Sequence, residues 1–155
     1  MQSAKKINNS NQPLIDLGGE GDPLLFSHAN GYPPLCYKSM LTPLLPTSRV
    51  YAGLFRPLWQ PEVEPSSVNS WETFAEDLIA VIDSEIQQPV IGVGHSMGAV
   101  SSLIAAVKRP DLFTSVVLIE PVLVPQRYLV FLRLFSRLSP RRIPMVRIAL
   151  ARKDS

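Results

Sequence analysis

The sequence predicts an α/β fold, a mostly parallel sheet with helices on both faces. Three observations carry that expectation. Short apolar runs at 24–28, 49–53, 90–94 and 113–119 alternate with helical segments. One of those segments, from Trp71 to Ile86, places apolar residues at helical spacing. Finally, Gly94-His95-Ser96-Met97-Gly98 joins the strand at 90–94 to a small-residue helix in a strand, sharp turn, helix order.

The elements read in order as follows. Residues 1–11 are a polar leader, and residues 13–17 form a strand ended by the glycine-rich turn at 18–22. Residues 23–28 are a buried strand that runs into the loop Ala29-Asn30-Gly31-Tyr32-Pro33. Leu35 to Leu45 is expected to be helical, opened by Pro34 near its first turn. A short strand at 49–53 precedes a long loop over 54–68 that contains Pro57, Pro61 and Pro65. Asn69 caps the next helix, with Glu72 three residues on in capping-box spacing. That helix shows Trp71, Phe74, Ala75, Leu78, Ile79, Ile82 and Ile86 on one face. The strand at 90–94 and the helix that ends at Lys108 follow, then a largely apolar strand from Phe113 to Glu120, stopped by Pro121. Two helical pieces, 128–138 and 143–151, occupy the remainder.

Composition bounds the class. A chain of 155 residues with 46% hydrophobic and 18% charged residues holds one ordinary domain with a real core. Cys36 stands alone, so an internal disulfide is excluded and nothing requires an oxidising compartment. Lys5 and Lys6 are followed by no apolar stretch of signal-peptide type, and no apolar run reaches the ~18 residues of a membrane span. A cytoplasmic location is the expectation. Residues 1–120 carry 7 basic and 12 acidic residues, a net of −5, whereas residues 121–155 carry 8 basic and one acidic, a net of +7. The basic balance thus belongs to the last segment, and the body has no charge argument for nucleic-acid binding. The arginines of 127–152 fit a solvated helix face, an anionic-membrane contact or a clamp for a carboxylate, with the solvated face preferred.

The pentapeptide carries the chemistry. Gly94 and Gly98 leave room for a tight turn and close strand–helix packing. Ser96 then stands at a helix N-terminus, where N–H groups and the dipole favour developing negative charge, and it is the candidate nucleophile. In this motif one oxyanion donor is the N–H of the next residue, Met97, and the second comes from the loop after an earlier strand. Asn30 is the expected donor there, with Ala29 the alternative. His28 and Tyr32 in the same loop are candidate substrate contacts. His28 reads as a residue that shapes the turn through hydrogen bonds in preference to a general base. His95, adjacent to Ser96 on a sharp turn, is oriented away from it. Glu120, at a strand end before Pro121, is a candidate acid, with a hinge or cap-positioning role preferred.

Gly94-His95-Ser96-Met97-Gly98 together with His28-Ala29-Asn30-Gly31-Tyr32-Pro33 resembles the α/β-hydrolase superfamily, in its cap-bearing esterase-like and epoxide-hydrolase-like branch. Serine at the elbow resembles the esterases, thioesterases and C–C bond hydrolases rather than the dehalogenases and epoxide hydrolases, whose nucleophile is a carboxylate. The resemblance implies a core over 12–124 and the first helices of a cap over 125–155. It also implies a triad in the order Ser, acid, His. No histidine follows His95, so the resemblance implies a fold incomplete at the C-terminus, with the triad histidine and an acid outside this sequence. The expected activity is hydrolysis of an ester, thioester or related acyl bond of a small-molecule substrate, without cofactor or metal. The alternative is a non-catalytic binding or interaction module.

Overall fold

The strands form where apolar side chains can be buried on both faces of one sheet. In the computed structural model, which describes residues 14–58 and 70–123, the run Leu24-Leu25-Phe26 lies in strand β2 (Asp22–Ser27). Leu25 packs into one core and Leu24 and Phe26 into the other, as the two-residue period of a strand requires. Strand β3 (Ser48–Gly53) divides in the same way, with Tyr51 on one side and Val50 and Ala52 on the other. Strand β4 (Val90–His95) sends Val90 to the first core and Val93 to the second.

With β1 (Leu14–Gly18) and β5 (Phe113–Ile119), these strands make a five-stranded sheet of order β1-β3-β2-β4-β5. β2, β3, β4 and β5 are parallel, and β1 runs antiparallel to β3. Helices α2 (Trp71–Val81) and α3 (Met97–Lys108) cover the first core through Phe74, Leu78, Met97 and Ala105. The second core is closed by the segment around α1 (Lys38–Leu41), with Tyr37, Leu41, Leu44 and Leu45 packed on the sheet. Helices on both faces of a mostly parallel sheet are therefore observed.

Three local expectations need correction. Residues 34–45 are not one helix: a 3-10 turn (Pro34–Tyr37), the single turn of α1 and a second 3-10 turn (Thr42–Leu44) follow one another. Pro43 has no N–H for an α-helical bond, and its ring displaces the preceding residues from α geometry. Helix α2 starts at Trp71 with Ser70 at the cap position, extended in backbone and without a side-chain capping bond, so Glu72 is the second helical residue and not the third. β5 is less buried than its composition suggests, because among the described residues it pairs with β4 alone and leaves Thr114, Ser115 and Val117 exposed. The polar leader, Asn69 and the helices expected at 128–138 and 143–151 lie outside the described residues. No described helix is long and apolar enough to cross a membrane.

Candidate active site

The strand order sets the site. The chain leaves β2 toward β3 on one side, and leaves β4 toward β5 on the other, so the carboxyl ends of the adjacent strands β2 and β4 form a topological switch point, the crevice where open α/β sheets bind ligands. Register brings the loops to one rim: Ser27 pairs with both Gly53 and Gly94, and His95 pairs with Ile119. His28, Ser96 and Glu120 therefore leave the sheet at the same edge.

Ser96 sits between β4 and α3 with φ 53° and ψ −113°. Such a conformation costs a non-glycine residue about 1–3 kcal/mol. It is held by its own N–H, which donates to the Ile119 carbonyl at 2.9 Å, and by its carbonyl, which accepts from Val100 N–H at 3.2 Å. The Ser96 hydroxyl makes no capping bond to the first turn of α3. The turn is possible only because its glycines are bare. A Cβ on Gly94 would lie 2.6 Å from Ala99 Cα, and one on Gly98 would overlap the Ser27 carbonyl. Ser102 reinforces that approach with a 3.2 Å hydrogen bond to the buried Ser27 hydroxyl.

The loop after β2 is built around His28. The imidazole is 3% exposed, its Nδ1 lies 2.8 Å from the Ala29 carbonyl, and Phe55 N–H donates to Nε2 at 3.3 Å. One nitrogen donates and the other accepts, which only neutral imidazole can do. Burial is the main cause of a pKa held below the ordinary value, with the hydrogen bonds at Ala29 and Tyr32 opposing it. Both ring nitrogens are thus occupied inside the fold. Ala29 is buried, while Asn30 and Tyr32 are exposed.

A second set of contacts crosses the rim. Tyr37 Oη accepts from Ala29 N–H at 3.3 Å and lies 2.7 Å from His95 Nδ1. His95 Nε2 lies 3.7 Å from the Glu120 carboxylate, whose side chain is 86% exposed. His95 is thus turned toward Tyr37 and Glu120, as its place on the turn suggests. Glu120 itself has φ 44°. Among the described residues Asn30 N–H has no hydrogen-bond partner. Met97 N–H, the first of α3, has no intrahelical acceptor.

Sequence reasoning missed Tyr37, which lies 58 positions from His95 and inside a segment read as an ordinary helix. No local pattern marks it; only the sheet order brings the two together. Among the described residues, no group of His, Cys, Asp and Glu has the arrangement of a metal site.

Comparison with known proteins agrees with this architecture. The sequence model of the alpha/beta hydrolase family matches residues 24–154, and the chain belongs to that family. Over 70 residues it is 34% identical to monoglyceride lipase of Mus musculus, covering 42% of this chain and 23% of that enzyme. Over 56 residues it is 39% identical to a monoglyceride lipase homolog of Monkeypox virus, covering 34% of this chain and 20% of that protein. The matches therefore span about a fifth to a quarter of the curated relatives. Among solved structures, E-2-(acetamidomethylene)succinate hydrolase superposes with a TM-score of 0.64 at 21% identity, over 91% of this chain and 59% of that one. An epoxide hydrolase of Vigna radiata gives 0.62 at 23% identity, over 69% and 35%. These two share the fold.

Proposed function

We propose that this chain carries the nucleophilic half of a serine hydrolase acting on an ester, thioester or related acyl bond of a small-molecule substrate. Ser96 is the nucleophile, and the N–H groups of Met97 and Asn30 form the oxyanion hole. The observation that carries this reading is the Ser96 backbone. A serine held at φ 53° with a hydroxyl uncommitted to capping bears a strain that glycine would remove. Asn30 is preferred to Ala29 because the Ala29 N–H already has the Tyr37 oxygen as its partner. Among the acyl bonds named, the likeness to monoglyceride lipases favours an ester.

The base that takes the Ser96 proton is neither histidine of this chain. His28 is committed to Ala29 and Phe55, and His95 to Tyr37. Without a base a serine hydroxyl is a weak nucleophile at neutral pH, so this reading assigns the base, and the acid that orients it, to other residues of the full-length protein. Glu120, exposed and facing His95, takes no part in proton transfer. Tyr32, 60% exposed in the same loop as Asn30, is the substrate contact retained here.

Fluorophosphonate labelling of the full-length protein tests the assignment. The wild type is expected to be labelled and Ser96→Ala is not. Absence of labelling, or equal labelling of the two, sinks the assignment and leaves a non-catalytic interaction module.

A further inference from the structure

We propose that Tyr37 is a positioning residue of this site, whose hydroxyl ties the oxyanion loop to the nucleophile elbow. The proposal rests on the oxyanion-hole reading above and adds the device that fixes one half of the hole against the other.

The ring is held by packing. It lies 4.6 Å from the Phe26 ring on β2 and meets the His95 ring edge-on at 5.7 Å, so the hydroxyl is presented at the rim with little freedom. A phenol has one proton to give and two acceptor sites. Here it accepts from Ala29 N–H at 3.3 Å and is assigned as the hydrogen-bond donor to His95 Nδ1 at 2.7 Å. Nε2 then carries the imidazole proton on the side of the Glu120 carboxylate, 3.7 Å away. That tautomer turns the Nε2 proton toward the carboxylate, the favourable sense of the 3.7 Å contact, and the donor role of Tyr37 is assigned on that ground. Burial also raises the phenol above its ordinary pKa, which keeps its proton in place.

The two ends of this strut are informative. One is the residue before Asn30 and the other is the residue before Ser96. The oxyanion donors come from two separate segments, and such donors stabilise a developing charge only if their spacing is set beforehand. By occupying the Ala29 amide, Tyr37 also leaves the next amide, that of Asn30, as the one available to a ligand. Packing alone would be served equally by phenylalanine, which has no atom to make either bond.

Amide hydrogen exchange in the full-length wild-type protein reads the strut directly. The Ala29 amide is expected to exchange at least about tenfold more slowly than the Asn30 amide. Tyr37→Phe keeps the ring and is expected to speed exchange of the Ala29 amide about tenfold, leaving the Tyr32 amide, which donates to the Ala29 carbonyl, unchanged. Equal exchange of Ala29 and Asn30 in the wild type overturns the proposal even if the variant does not fold. In a second arm, fluorophosphonate labelling of Ser96 is expected to slow about tenfold in Tyr37→Phe and in His95→Ala, less than the ~10²–10³-fold loss of a direct donor. The double variant is expected to be no slower than either single one, and additive losses overturn the strut. A protected Ala29 amide in a protein without Ser96 labelling defeats the hydrolase reading on which the proposal rests. Labelling with an unprotected Ala29 defeats the strut alone.

Discussion

Gly98 lies directly beneath the carbonyl oxygen of Ser27, with no space for a side chain between them. A Cβ at position 98 would overlap that oxygen and stand 2.7 Å from the carbonyl oxygen of His28. The contact brings the first turn of α3 onto the end of β2, and so sets Ser96 beside the loop that starts at His28. Backbone cannot give way as a side chain can, so Gly98→Ala must push α3 off the sheet. The expected cost is about 2–3 kcal/mol of unfolding free energy in urea titration, with loss of Ser96 labelling. Gly92→Ala is the control: its Cβ would meet the Phe113 ring at 3.0 Å, a neighbour able to shift, and the expected cost is about 1 kcal/mol.

Ser96 itself offers a second measurement. Its φ of 53° and ψ of −113° strain any residue with a Cβ by about 1–3 kcal/mol, which outweighs the ~0.4–1 kcal/mol that glycine loses through its freer unfolded chain. Ser96→Gly is therefore expected to be more stable than wild type by about 1 kcal/mol and unreactive toward a fluorophosphonate. Ser96→Ala, which keeps the strain and removes a hydroxyl that caps nothing, is expected to match wild type in stability. A Ser96→Gly protein less stable than Ser96→Ala would show that the elbow is not strained.

The parts of this fold legible in sequence are those where burial or backbone sterics acts on neighbouring residues. The runs at 24–28 and 90–94 are apolar without alternation because both faces of β2 and β4 are covered. The elbow is legible because Gly94 answers a steric demand made by Gly98 and Ala99, a few residues from Ser96, whereas the demand on Gly98 comes from Ser27 and His28 across the sheet and shows in sequence only as the second glycine of the motif. Position 77 also carried a signal: Asp77 follows Phe74 by three residues and so falls on the apolar face of α2, where it is buried. The segment 34–45 misled because its apolar content suits a helix while Pro43 forbids the middle of one. The Tyr37–His95 contact was invisible because it depends on the order of strands in space, which no local pattern encodes.

Asp77 is paired with Arg56, which donates two hydrogen bonds of 2.8 Å to its carboxylate. The side chains are 5% and 26% exposed respectively, and this asymmetry decides which loss is worse. Arg56→Ala strands a buried carboxylate and is expected to cost about 2–3 kcal/mol, whereas Asp77→Ala leaves a guanidinium already in reach of water and costs about 1 kcal/mol. The double variant should cost little more than Arg56→Ala, since the same interaction is removed twice. Urea unfolding of the three variants checks the order. Arg56 directly follows Phe55, whose N–H is bound by His28, so Arg56→Ala is expected to loosen the loop after β2 as well as the fold.

His28 makes stability depend on pH with a definite sign. Its folded-state pKa lies below the ordinary 6.5, first because burial penalises the imidazolium. The imidazolium would also present a proton where Nε2 now accepts from Phe55 N–H. Below about pH 6.5 the unfolded chain binds a proton at this residue that the folded chain excludes. The stabilisation from neutral His28 is therefore fully present above about pH 6.5 and is lost as pH falls toward the depressed value, at no more than about 1.4 kcal/mol per pH unit. Aspartate and glutamate, with ordinary pKa values of about 3.9 and 4.3, stay largely ionised down to about pH 5, and His95 is common to wild type and variant, so the difference between the two proteins reports His28. Urea unfolding between about pH 7.5 and pH 5 should show wild-type stability falling with acid more steeply than that of His28→Gln, which has no imidazole to protonate. Parallel curves for the two proteins would mean that the folded state accepts a proton on His28 and that the loop is not held by a neutral imidazole.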